Sequence, residues 1–244
     1  MAIMEKENSP IKTLKGLQSE VQNSNKIALS VDCVIFGFDE NKLKVLLIRS
    51  DLKKYHNNYS LLGDLVKPHE DLDGSASRIL KQRTGLNHLY LEQVHTFGEV
   101  NRHPAGRVVS VAYCSLINIK HHHLNILDNE LGWHEVSSIK ELLFDHMKIF
   151  DCCYSWLQKR VQEHPLGFSL LPEKFSLREL QDLYEAILNK KLDRRNFRKK
   201  FFKMDFLVDL GEDEKDVAHR PGKLYKFNYE KYEKNKKTWM GIDF

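Results

Sequence analysis

Apolar positions cluster first over residues 27–38 (IALSVDCVIFGF) and again over residues 43–49, separated by the turn-like DENK, which predicts a β-hairpin. A further strand is expected over Tyr59–Lys67. Asp71 or Asp73 then caps a helix running to about Thr84, with Gly85 in the position that closes it. Two long strands follow, Leu89–Val100 and Arg107–Ile119, joined by NRHPAG, a loop marked by its proline and glycine. A short strand is expected around Gly132–Val136. Asp145 then caps a helix reaching about Glu163, with Ile149, Cys153, Trp156, Leu157 and Val161 at helical spacing. Residues 1–26 carry no strong period and read as a lead-in.

The pattern changes after Gln162. EHPLGFSLLPEKF, with two prolines and a glycine, reads as a short, fairly stiff connector packed by Phe168, Leu170 and Leu171. Ser176 and Glu179 form a capping box opening an amphipathic helix with Leu177, Leu180, Leu183, Tyr184 and Ile187 on its buried side, stopping near Asn189. A second helix spans Leu192–Met204, capped by Asp193, with Phe197, Phe201 and Met204 toward the core and a cationic face centred on Arg195 and Lys199. Phe206–Val208, an acidic loop and a closing strand at Lys223–Asn228 complete the order of a winged helix-turn-helix. Four parts result: a lead-in 1–26, a domain 27–163, a linker 164–174 and a second domain 175–244.

Charge supports this division. Residues 1–172 hold 20 Lys+Arg and 20 Asp+Glu, leaving 18 and 14 of the chain's 38 and 34 beyond Pro172, so the whole excess of +4 is C-terminal. A cationic helix followed by a wing bearing His219, Arg220 and Lys223 supplies phosphate contacts on both sides of an inserted helix. The expected DNA-contacting residues are Arg194, Arg195, Asn196, Arg198, Lys199, Lys203, His219, Arg220 and Lys223. Four cysteines without a CxxC spacing argue against zinc and against a secreted disulfide framework. With no apolar run near the length of a membrane span, a cytoplasmic protein without a membrane partner is expected. The triplet His121–His123 reads as an exposed turn, since three adjacent histidines cannot converge on one ion.

The stretch LLGDLVKPHEDLDGSASRILKQRTGL, residues 61–86, carries the chemistry. It resembles the Nudix box: Asp64 stands at the first glycine, Glu70, Arg78, Leu80, Gly85 and Leu86 match, and Ile79, Gln82 and Arg83 replace three glutamates. Those positions share one helix face. In the family they hold a divalent cation against a diphosphate, whereas isoleucine, a neutral amide and a guanidinium cannot. Without metal there is neither a Lewis acid nor an activated water, so no catalytic residue, no metal site and no cofactor is expected. The resemblance implies an α+β chain: a Nudix α/β/α sandwich with a mixed sheet, then a small winged helix-turn-helix.

The connector, LQDLYEAI and DRRNFRKK extend the likeness to the Nudix-related transcriptional regulators over residues 27–228. Members of that family are dimeric repressors or activators that sense ADP-ribose in one branch and pentose sugars in another. The segment Phe97–Arg107 is similar to a family loop but has His103 for its acid. Together with the lost glutamates, this leads to the expectation of a pentose-responsive regulator binding operator DNA as a homodimer. Lys67, His69, Glu70, Arg102 and Arg107 are expected to touch the sugar, whose hydroxyls suit mixed donors and acceptors. The alternatives are an ADP-ribose or NAD-metabolite sensor, a hydrolase of ADP-ribose-like diphosphates using a different metal set such as Glu70 with Glu99, and a scaffold with neither ligand.

Overall fold

A computed structural model describes residues 27–50, 55, 58–87, 89–119, 131–164, 168, 170–215 and 220–235. The lead-in 1–26, the His121–His123 triplet and His219 lie outside the described residues. In chain order the elements are β1 (Ala28–Asp39), β2 (Lys42–Arg49), β3 (Tyr59–Ser60), β4 (Leu62–Leu65), α1 (Leu72–Thr84), β5 (Glu92–Phe97), β6 (Val108–Asn118) and β7 (Leu131–Glu135). They continue with α2 (His146–Glu163), β8 (Phe175–Ser176), α3 (Leu177–Leu188), α4 (Arg194–Met204), β9 (Leu207–Asp213), β10 (Lys223–Phe227) and α5 (Tyr229–Asn235).

Eight consecutive buried residues in β1 mark it as the centre of a sheet covered on both faces. It meets β2 through a two-residue turn in which Glu40 and Asn41 have φ of 51° and 59°, the mirror-image turn that follows the strands' own twist. Along one edge β1 runs parallel to β6, from Ala28↔Val108 to Phe38↔Asn118. Its other edge is divided: β4 takes Ser30–Cys33 and β2 takes Phe36–Asp39, both antiparallel. The segment expected as one strand over Tyr59–Lys67 therefore breaks at Leu61, with β3 on β2 and β4 on β1. β7 adds to β2 and β5 to β6, giving a seven-stranded mixed sheet.

Alternation along β1 sends Val31, Cys33 and Ile35 into one apolar core and Val34, Phe36 and Phe38 into another. Helix α1 covers the first with Ala76, Ile79 and Leu80; it is capped by Asp71, which accepts from Gly74 N–H at 2.7 Å, and closed by Gly85 at φ 72°. Helix α2 covers the second with Ile149, Phe150, Cys153, Leu157 and Val161. Full burial of an aliphatic or aromatic side chain of this kind stabilises by about 1.5–3 kcal/mol. Trp156, expected in the core, is only half-buried and carries the Arg160 guanidinium 5.9 Å from its ring centre. Asp145 precedes α2 but makes no side-chain cap, because its carboxylate is drawn to Arg102 instead.

The second core continues into the C-terminal part. Phe168, Leu170 and Leu171 of the connector are buried, and Phe168 stacks on Phe227 at 4.1 Å. In α3 the capping box is complete: Ser176 Oγ accepts from Glu179 N–H, the Glu179 carboxylate accepts from Ser176 N–H, and the five expected residues are buried. Asn189 ends the helix in the left-handed region at φ 51°. Asp193 caps α4, which buries Phe197 and Phe201 while Met204 is half-buried. A three-stranded sheet of order β8-β10-β9 forms the wing, and α5 follows it. No described helix is long and apolar enough to cross a membrane.

Candidate ligand cavity and nucleic-acid interface

The box helix is held by its arginine. Arg78 donates to Glu70 Oε1 at 2.7 Å, Asp64 Oδ2 at 2.9 Å, Leu65 O at 3.0 Å and Gln82 Oε1 at 3.2 Å. Glu70 also accepts from Lys67 N–H at 3.3 Å. Loss of hydration works to raise the Glu70 pKa, but the Arg78 guanidinium and the Lys67 amide hold it below the ordinary carboxylate value. Glu70 is thus committed to fastening the loop to the helix. Ile79, 2% exposed, is core beneath the sheet, and Gln82 is turned to Arg78. Among the described residues no group of three His, Cys, Asp or Glu is placed to hold a metal. The face that the Nudix family uses for a cation does not fit one here.

Arg83, by contrast, reaches a cavity of about 750 Å³. It is walled by the start of β1 (Ile27, Ala28, Ser30, Asp32), the end of β2 (Ile48, Arg49, Ser50), Ser60–Leu65, the loop Arg102–Arg107 and the approach to α2 (Leu143, Phe144, His146). Four guanidinium groups line it, from Arg49, Arg83, Arg102 and Arg107, against the carboxylates of Asp32 and Asp64. Two of the five residues expected to touch a ligand, Arg102 and Arg107, are therefore at the cavity. Lys67, His69 and Glu70 are not in its wall, because the loop turns them outward and Glu70 is taken by Arg78.

The inner wall is a buried polar network. Arg102, 7% exposed, donates through Nε and Nη2 to both oxygens of Asp145 at 2.7 and 2.8 Å, and lies 3.9 Å from Asp32. Asp32 accepts from Ser110 Oγ. Where the chain crosses from β3 to β4, Leu61 N–H leaves the ladder and donates to His146 Nδ1 at 3.2 Å, with Ser60 Oγ 2.9 Å from the same nitrogen. That backbone donor fixes the tautomer: Nδ1 accepts, so the proton is on Nε2, 3.7 Å from Asp32 Oδ1. Burial pushes the His146 pKa below its ordinary value, outweighing the neighbouring acids Asp32 and Asp145. Phe144 enters this wall at φ 53°, unusual for a residue with a side chain, and meets the rings of His103, His146 and Tyr55 edge-on at 4.7, 5.8 and 5.6 Å. Asp32, Arg49, Phe144 and His146 escaped sequence reading; the acid inside an apolar strand was the one signal that could have found them.

At the other end of the chain, α4 carries six Lys and Arg between Arg194 and Met204 and no acid. Arg194, Arg195, Asn196, Lys199 and Lys203 are exposed, while Arg198 is half-buried. The helix divides its cations between two rows. Arg194 and Arg198 turn toward the wing and line a groove of about 850 Å³ with Arg178, Arg220 and Lys223. Arg195, Lys199 and Lys203, four residues apart, form the outer row. Arg178, the second residue of α3, was missed because a lone charge in a capping box reads as solvated. Lys223 is tied to Asp209 at 2.9 Å, so part of the wing's positive charge is met within the protein. Gly222 and Glu214 close the wing loop through Gly222 N–H to Glu214 Oε2 at 2.8 Å and Glu214 N–H to Gly222 O at 2.9 Å.

A Nudix-type sheet joined through a shared core to a winged helix with a cationic helix and groove defines the class of Nudix-fused transcriptional regulators. Comparison with known proteins agrees. Residues 26–157 match the Nudix domain and residues 167–227 match the NrtR DNA-binding winged helix domain. The ADPR responsive transcriptional repressor NtrR of Acinetobacter baylyi is 32% identical over 212 residues, 85% of this chain and 84% of that one. The crystal structure of Shewanella oneidensis NrtR complexed with a 27mer DNA has a TM-score of 0.71 at 25% identity, covering 86% of this chain and 96% of that one. An ADP-ribose pyrophosphatase of Methanocaldococcus jannaschii is 25% identical over 131 residues, 53% of this chain and 74% of that one. The chain belongs to the NrtR-type Nudix-related transcriptional regulators. The two relatives described by a ligand or substrate, the Acinetobacter repressor and the Methanocaldococcus pyrophosphatase, both concern ADP-ribose.

Proposed function

We propose that the chain is a transcriptional repressor whose Nudix cavity binds ADP-ribose and whose affinity for operator DNA falls when it does. The observation that carries the ligand assignment is the position of Arg83. The loss of carboxylates led to the expectation of a neutral sugar because the metal anchor for a diphosphate had gone. Arg83, however, puts a fixed positive charge at the place of a metal-binding glutamate and lines a cavity with Arg49 and Arg107. Guanidinium groups pair bidentately with phosphate oxygens, so a diphosphate keeps an anchor without a cation. A volume of about 750 Å³ lies within the range usual for small-molecule sites. The 32% identity to an ADPR responsive repressor over most of both chains supports the same reading.

DNA binding is assigned to the outer row of α4 and to the groove it forms with the wing, in a pair of protein copies. Turnover is not expected, since no carboxylate set at the box would activate water. Calorimetry with ADP-ribose, arabinose, xylose and ribose, alongside anisotropy on labelled DNA from upstream of the chain's own gene, tests the proposal. ADP-ribose should bind, weaken the DNA complex and be recovered intact with magnesium or manganese present. Binding of a pentose but not ADP-ribose, or binding that leaves DNA affinity unchanged, would overturn it.

A further inference from the structure

Helix α2 starts in the cavity wall and ends against the DNA-binding half. Immediately before its first turn Asp145 is clamped by Arg102 Nε and Nη2, and His146, its first residue, is held by Leu61 N–H. Tyr154 and Gln158 lie roughly 12 and 18 Å further along at 1.5 Å per residue. Tyr154 Oη donates to Ile187 O at 2.9 Å, and Gln158 Nε2 donates to the same oxygen at 3.0 Å. Ile187 is in the last turn of α3, where carbonyls have no partner inside the helix and are ordinarily met by solvent or a local turn. Here both lone pairs are filled by another domain. Two residues later Asn189 turns the chain in the left-handed region toward α4, the helix to which the proposed function assigns DNA binding.

The donors are themselves fixed. The Tyr154 ring is stacked on Phe150 at 6.0 Å and 18°, and lies 6.1 Å from Phe36 of β1, four residues from Asp32 in the cavity wall. A shift of Asp145 or Asp32 thus has two rigid routes, helix α2 and strand β1, that converge on Tyr154. We infer that Tyr154 and Gln158 are the positioning residues that carry the state of the cavity to the DNA-reading helix, through the single carbonyl of Ile187.

This inference rests on the proposed response to ADP-ribose, and its test separates the two. In the full-length wild type, the ratio of DNA dissociation constants with and without saturating ADP-ribose should lie between about 5 and 150. In Tyr154→Phe/Gln158→Met, which keeps both side-chain volumes, the ratio should fall to within about twofold of one, with ADP-ribose affinity and ligand-free DNA affinity near wild type. A double variant with both affinities intact and the full ratio overturns the inference. If the double variant loses DNA binding outright, Tyr154→Phe alone decides: Gln158 still satisfies the carbonyl, an intermediate ratio supports the inference and a full ratio overturns it. A wild type that binds DNA but ignores ADP-ribose overturns the proposed effector only. The inference is then read from Asp145→Asn, which loosens α2 at the cavity and should change DNA affinity in the wild-type background, less in the Tyr154→Phe background and not at all in the Tyr154→Phe/Gln158→Met background; equal changes in all three overturn it.

Discussion

Residue by residue, the box face has been given three different tasks. Ile79 completes a core, Gln82 accepts from Arg78 and Arg83 lines the cavity. Arg83→Ala should weaken ADP-ribose binding by about 1.5–3 kcal/mol, the worth of a hydrogen bond to a charged group, without loss of folding. Calorimetry decides it, and an unchanged affinity would remove Arg83 from the site. His146 makes a separate prediction. Its pKa is lowered in the folded state, so the unfolded chain takes up the proton first, and stability should decline as pH falls through about 6.5 toward the folded value. Urea unfolding from pH 8 to 5 should give a steeper fall for wild type than for His146→Gln; parallel curves would count against it. The missing glutamates were legible in the sequence because a box has fixed spacing. Where Arg83 points was not, since that depends on β1, β2 and the Arg102–Arg107 loop closing around it.

Among the elements, those whose signals are local were the most legible. The capping box at Ser176 and the five buried positions of α3 follow from residues within one helix, and Asp71, Gly85 and Asp193 likewise act on their own neighbours. Ser176→Ala should therefore destabilise by about 0.5–2 kcal/mol in thermal or urea unfolding. Strand β8 could not be found the same way: two residues, Phe175 and Ser176, become a strand only because Leu224 and Tyr225 pair with them from far along the chain. The cavity is a similar case, assembled from six separated segments. For α4 the exposed outer row makes a salt prediction. Removing Arg195 and Lys199 should lower the slope of log affinity against log salt by about 0.9 for each phosphate no longer neutralised, and a slope equal to wild type would place the DNA elsewhere.

At the scale of the whole molecule, one apolar cluster runs from the sheet through α2 and the connector to the winged helix, with Phe168 stacked on Phe227 and Asn118 Nδ2 donating to Leu170 O at 3.0 Å. Heating followed by far-ultraviolet dichroism and by calorimetry should give coincident transitions; two separated transitions would mean that the halves are held together less tightly than this core implies. The sheet itself is less uniform. β6 grips β1 through eleven paired positions, from Ala28 to Phe38, but the opposite edge passes from β4 to β2 around Val34 and Ile35. The molecule has, in effect, two leaves on one rail. The leaf that bears the box pairs with β1 through β4 alone, whereas β2 is backed by β3 and β7, so the amides of the box leaf are expected to exchange with deuterium as a separate, earlier cooperative unit.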